Sequence, residues 1–193
     1  MKAMERIQDI AMRKFMEKGF DGVPLNDILR EANVSKGSFY YHFSNKEDLY
    51  MSLIKKVIEE KWQLMEELGL LQPKEEGLFP LLHLQIRAAL SFMEARPHYQ
   101  QFTESVLREG NEALRKRVFA HFKLENRDRL LNLVEAAMRN GEVRDDIPAE
   151  QINQILMFFL QNLSEITGFI HMRDYDDGAL WLLDFLENGL RKK

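Results

Sequence analysis

The chain has 193 residues, 45% of them hydrophobic and 30% charged, which excludes a disordered chain and provides for a sizeable core. It has no cysteine, so disulfides, thiolate metal sites and a cysteine nucleophile are excluded, and no apolar run approaches the roughly 18 residues of a membrane helix. The net charge of −4 argues against holding nucleic acid by bulk electrostatics, yet residues 1–50 carry equal numbers of Lys/Arg and Asp/Glu, so the deficit lies wholly beyond them.

In chain order, the N-terminus turns amphipathic at once, with no apolar signal region, so a cytoplasmic protein is expected. Ile7, Ala11 and Phe15 make one apolar stripe on a first helix ending at Gly19. A second, short helix carrying Leu25, Ile28, Leu29 and Ala32 follows Pro24. Ser35 is a good N-cap for a third, from Lys36 to Phe43. Ser44-Asn45-Lys46-Glu47 reads as a capping box, Ser44 serving the amide of Glu47, at the head of a helix running to about Leu68. Further helices are expected near Leu78–Ala95, Tyr99–Glu109, Asn111–Asn140, Pro148–Met172 and Asp177–Leu190, joined by short Gly-, Pro- and Asp-containing loops. No stretch alternates long enough for a sheet. The fold class is all-α with about nine helices, in a small N-terminal domain over 1–46 and a larger helical domain over 47–193.

Residues 25–43 carry the functional signal. Two short helices joined by Asn33-Val34-Ser35 form a tight corner, with Asn33 where a left-handed backbone is convenient. This is a helix-turn-helix pattern, whose second helix enters the major groove of DNA. Gly37 and Ser38 are small enough for a close approach. Tyr40, Tyr41 and His42 place polar tips on flat rings, and Lys36 and Lys46 add positive charge at either end. Phe39 and Phe43, four apart, share one face and are expected to point inward.

From Ile7 to Leu49, and above all in Ala32-Asn33-Val34-Ser35-Lys36-Gly37-Ser38-Phe39-Tyr40-Tyr41-His42-Phe43 followed by Lys46-Glu47-Asp48-Leu49, the chain closely resembles the DNA-binding domain of the TetR family of bacterial transcriptional regulators. The resemblance implies a homodimer with an N-terminal DNA-binding domain and a C-terminal ligand-binding and dimerisation domain. It implies phosphate contacts from Tyr40, His42 and Lys46, and base or phosphate contacts from Lys36, Ser38 and Tyr41. Pro24 departs from the family, standing where Ser or Thr often caps the second helix; Leu29 and Asn33 replace a usual Ala and Gly.

Among the many Phe and Met residues of 78–170, most are expected in the core, with Phe92, Phe102, Phe122 and Phe158 the candidates to line a cavity for a small hydrophobic effector. The last helices are apolar on more than one side, which asks for burial on two fronts. Phe159, Leu163, Leu182, Leu186 and Leu190 are the candidate dimer contacts. His83, His98, His121 and His171 show no ligand spacing, and Asp174, Asp176 and Asp177 lack the calcium-loop pattern, so no metal or cofactor is expected. Ser52-Leu53-Ile54-Lys55 stands alone without the companion motifs of penicillin-recognising enzymes, and nothing else proposes a reaction. The reading is a ligand-responsive dimeric repressor of a palindromic operator, with double-stranded DNA and a hydrophobic effector as partners and no membrane. The alternative is a helical small-molecule-binding or scaffolding protein that keeps its helix-turn-helix head only structurally.

Overall fold

The structure is a computed structural model that describes residues 2–161 and 175–192, except for the side chains at 122–127, 160–161 and 175–179. Among the described residues there are nine helices: α1 (Ala3–Lys18), α2 (Leu25–Glu31), α3 (Lys36–His42), α4 (Lys46–Glu67), α5 (Leu78–Glu94), α6 (Pro97–Leu107), α7 (Glu112–Arg139), α8 (Ala149–Gln161) and α9 (Tyr175–Leu190). The only β feature among them is an isolated bridge between Val143 and Arg191. The protein is all-α, and no described helix is long and apolar enough to cross a membrane.

The chain forms two compact units, Met1–Lys61 with Arg96–Ala120, and Trp62–Ala95 with His121–Lys193. A single cut after Lys46 does not describe this division, because α6 and the start of α7 pack with the first three helices and most of α4. Local sequence gives no sign of that partnership. It is made by side chains far apart in the chain, described with the site below.

In the first unit the apolar stripe of α1 is buried as its spacing predicts: Ile7, Ala11 and Phe15 lie against a core that includes Ile28, Phe39, Phe43, Leu49, Tyr50 and Phe102. An aromatic cluster fills the centre. Tyr50 meets Phe15 edge-on at 5.0 Å between centroids, Phe20 at 5.2 Å and Phe102 at 5.8 Å. Each fully buried ring of this kind contributes about 1.5–3 kcal/mol by removal from water, and edge-to-face pairs add to it.

The second unit is built around Phe79, Leu81, Val134, Ile152, Leu156, Leu182 and Leu183. The start of α5 is fixed by a carboxylate: Leu78 N–H donates to both oxygens of Glu142, at 2.8 and 2.7 Å, and Phe79 N–H to one at 3.4 Å. These are amides that a helix start leaves unsatisfied. The end of α9 is tied to the same loop, with Arg144 N–H donating to Leu190 O at 2.9 Å and Lys192 N–H to Glu142 O at 2.9 Å.

Candidate nucleic-acid interface

The corner between α2 and α3 follows from two local choices in the sequence. Asn33 adopts a left-handed backbone, φ 52°, and it is the sole non-glycine with positive φ among the described residues. Its N–H donates to Arg30 O at 3.2 Å and the N–H of Val34 to Leu29 O at 3.1 Å, the paired bonds of a Schellman termination. The carbonyl of Ala32, the C-cap residue just past α2, accepts from Arg6 Nε at 3.2 Å. Ser35 then starts α3, its Oγ accepting from Ser38 N–H at 3.1 Å. Pro24 makes no side-chain cap bond at the start of α2, which agrees with its departure from the family pattern.

This corner splits the aromatic run of α3 between inside and outside. Phe39 and Phe43 are buried and 5.5 Å apart between centroids. Tyr40 is 57% exposed and Tyr41 85%, while His42 is half-buried and meets Tyr41 edge-on at 4.9 Å. Lys36 and Gly37 are exposed and Ser38 is half-buried. Six of the seven residues expected to meet DNA therefore sit together on α3.

Lys46 differs. Its ammonium donates to the carbonyls of Phe20 at 2.8 Å and Val23 at 3.0 Å, and lies 4.2 Å from the centre of the Phe20 ring. Burial pulls its pKa below the ordinary lysine value, with Asp21 and Glu109 opposing that shift. The residue braces the α1–α2 loop, leaving at most one of its three N–H donors for a phosphate.

The capping box is also displaced by one residue. Asn45, not Ser44, caps α4: its Oδ1 accepts from Asp48 N–H at 2.8 Å, and Asp48 accepts from Ser44 N–H at 2.8 Å. Glu47 is freed for another partner. It receives both Nε and Nη2 of Arg117, at 2.7 and 2.9 Å, and this fork holds its carboxyl below the usual carboxylate range. Nearby, Glu109 accepts from Phe20 N–H at 3.0 Å and from Asn111 N–H at 3.0 Å, and Asn111 donates to Asp21 at 3.1 Å. Sequence reasoning missed Glu109, Asn111 and Arg117, because no local pattern announces a partner so far along the chain.

Of the four phenylalanines expected to line a cavity, the three with described side chains are divided between the two units. Phe102 is buried against Tyr50 in the first unit, and Phe92 is buried in the second. Phe158 is 59% exposed, so it is surface rather than lining. Phe122 has a side chain outside the described residues. A cleft of about 690 Å³ opens instead between α1 and α6, lined in part by Arg13, Phe15, Met16, Glu17, Glu104 and Arg108, a far more polar set.

Of the expected dimer contacts, four face the second unit's own core. Leu182, Leu186 and Leu190 are buried in the second unit's own core, and Phe159 packs against it. Leu163 lies outside the described residues, as do His171, Asp174 and the side chains of Asp176 and Asp177. The large apolar side chains that α8 and α9 expose, among the described residues, are Ile155, Phe158, Trp181 and Phe185.

A second short helix held at a Schellman corner, with tyrosines turned outward and phenylalanines inward, defines a helix-turn-helix DNA-binding head. Residues 7–53 match the family model of the bacterial regulatory proteins, tetR family. The same head is 48% identical over 46 residues to the biofilm operon icaADBC HTH-type negative transcriptional regulator IcaR of Staphylococcus epidermidis, covering 24% of this chain and 25% of that protein. It is 43% identical over 51 residues to IcaR of Staphylococcus aureus strain Newman, covering 26% and 27%. These matches thus span about a quarter of each relative.

Over the whole chain the likeness is one of fold. The SmeT–triclosan complex superposes with a TM-score of 0.77 at 17% identity, covering 99% of this chain and 92% of that one. A TetR family transcriptional regulator from Chloroflexus aurantiacus superposes with a TM-score of 0.60 at 23% identity, covering 98% and 93%. The head at residues 7–53 thus matches the family's model, and the whole chain shares the fold of solved structures that include a TetR family regulator.

Proposed function

We propose that the chain is a ligand-responsive, dimeric transcriptional repressor that a small hydrophobic effector releases from a palindromic operator. The observation that carries the DNA-binding part is the outward face of α3, where Lys36, Tyr40 and Tyr41 stand exposed. Tyr40 rests one edge on the buried Phe39, and Tyr41, 85% exposed, gives little of its ring to the core. On DNA, Lys36, Ser38, Tyr40 and His42 supply phosphate contacts, and Tyr41 and the close approach at Gly37 supply sequence preference. Lys46 contributes chiefly by fixing the loop behind α3.

The repressor reading is supported by the head's similarity to IcaR, a negative regulator, and the effector reading by the complex of SmeT with triclosan. The dimer reading rests on Ile155, Phe158, Trp181 and Phe185, large apolar side chains left on the surface of α8 and α9. A two-fold dimer sets its recognition helices about 34–36 Å apart, one turn of DNA. Release requires an effector that binds the DNA-incompetent arrangement more tightly; a coupling of about 1–3 kcal/mol changes operator affinity roughly 5–150-fold.

A gel shift with DNA flanking the protein's own gene tests this. Parent protein should retard a palindromic fragment at nanomolar concentration, and Tyr41→Ala should change which fragments are preferred in a selection from genomic DNA. Retardation of every fragment alike, or of none, would overturn the operator reading in favour of a scaffold that keeps its head structurally.

A further inference from the structure

The second unit gathers three potential metal ligands that lie far apart in the chain. Nε2 of His83, on α5, lies 3.2 Å from Oδ1 of Asp184 on α9. Taking one ligand atom from each, His83, Asp184 and Glu187 all fall within 4.8 Å of one another. Asp184 and Glu187 are three apart on α9, so a single flank of that helix presents both carboxylates. The imidazole on α5 faces them. The site is anchored but open: the side chains of His83 and Glu187 are 26% and 20% exposed, that of Asp184 67%. Arg191, one turn beyond, holds one oxygen of Glu187, which restrains this carboxylate while its second oxygen can still ligate.

A plain histidine–aspartate pair would need only two of these groups. The third donor is what makes a cage. One imidazole nitrogen and two carboxylate oxygens, with no thiolate available in the chain, suit a borderline divalent ion better than magnesium or calcium, which favour all-oxygen sites. Around a tetrahedral zinc with bonds of about 2.0–2.2 Å the ligands would stand roughly 3.4 Å apart. The His83–Asp184 spacing of 3.2 Å is already near that, the Glu187 ligand atom lies within 4.8 Å of both, and water would complete the shell. We propose that His83, Asp184 and Glu187 form a three-ligand site for a divalent first-row transition ion, zinc foremost, that clamps α5 to α9. The proposal does not depend on what the head binds.

Titration calorimetry of the full chain with zinc chloride tests it. The parent should take up one zinc per chain, with its thermal unfolding raised by the ion. His83→Ala and Asp184→Asn should each weaken binding about tenfold or more, since loss of a ligand costs at least what loss of its orienting partner does. Exposed His98 and His121 serve as controls, and their alanine variants should bind as the parent does. A second readout is optical: nickel or cobalt at the site should quench Trp181, one turn before Asp184 on α9, and His83→Ala should abolish the quenching. Absence of saturable binding in the parent, or equal binding by parent, His83→Ala and Asp184→Asn, would overturn the site.

Discussion

A methyl group added at position 37 would meet nothing nearer than Ser35 Oγ at 3.9 Å, so the fold itself does not require glycine there. Glycine in a helix costs up to about 1 kcal/mol relative to alanine. A residue that the fold does not need, placed on the exposed face of α3 between Lys36 and Ser38, is best explained by a surface that must come close to something else. Gly37→Ala should therefore leave thermal unfolding unchanged or raise stability by up to about 1 kcal/mol, while operator affinity measured by fluorescence anisotropy falls. Unchanged affinity would take Gly37 out of the interface. At this scale much was legible in the sequence. Asn33 and Ser35 announce themselves because turn and cap chemistry acts over three or four residues at fixed offsets. Lys46 is less legible, for the opposite reason. Its side chain answers to the carbonyls of Phe20 and Val23, and a charged residue near a recognition helix gives no local sign of whether it faces inward or outward.

The elements themselves followed from periodicity and punctuation, with their ends shifted by a few residues. The informative errors are at helix starts. Four consecutive residues, Ser44 to Glu47, satisfy the capping-box pattern, but Asn45 and Asp48 satisfy the geometry equally well one step on. Glu47 settles the choice by pairing with Arg117, a residue no window of sequence could include. The start of α5 shows the same dependence on distant partners. Gly77 there has φ 103°, and a Cβ at that position would fall 2.6 Å from a Glu142 oxygen. The carboxylate thus occupies the space a side chain would take and satisfies the first amides of the helix. Glu142→Ala leaves those amides without their acceptor, and should cost about 1.5–3 kcal/mol, as for hydrogen bonds to charged groups. Glu142→Gln, which keeps an acceptor without the charge, should fall between. Urea unfolding checks both. A change in the alanine variant within about 0.5 kcal/mol, typical of an inert surface site, would show that water replaces the cap without loss.

At the scale of the whole molecule, the sequence showed that α8 and α9 are apolar on two sides but could not say which side belongs to the chain's own core. Leu182, Leu186 and Leu190 form a regular stripe, and so do Trp181 and Phe185, one turn apart. Periodicity treats both as candidate faces, and only the packing of α9 against α5 and the rest of the second unit chooses between them. The leucines went in. Trp181 and Phe185 stayed out, stacked at 6.3 Å and 59% and 62% exposed. Two substitutions on the same helix should therefore have opposite effects. Leu186→Ala removes buried methyl groups and should cost about 2–5 kcal/mol of folding stability. Phe185→Glu sets a carboxylate on the outer face, where a monomer tolerates it but a self-complementary interface meets it twice across the two-fold axis. Sedimentation should find the parent as a dimer and Phe185→Glu as a monomer with its helical circular dichroism retained, and operator binding should fall because one recognition helix cannot span two half-sites. A Phe185→Glu chain that still sedimented as a dimer would move the interface off this face, while one that lost its helical signal would show that the second unit needs its partner in order to fold.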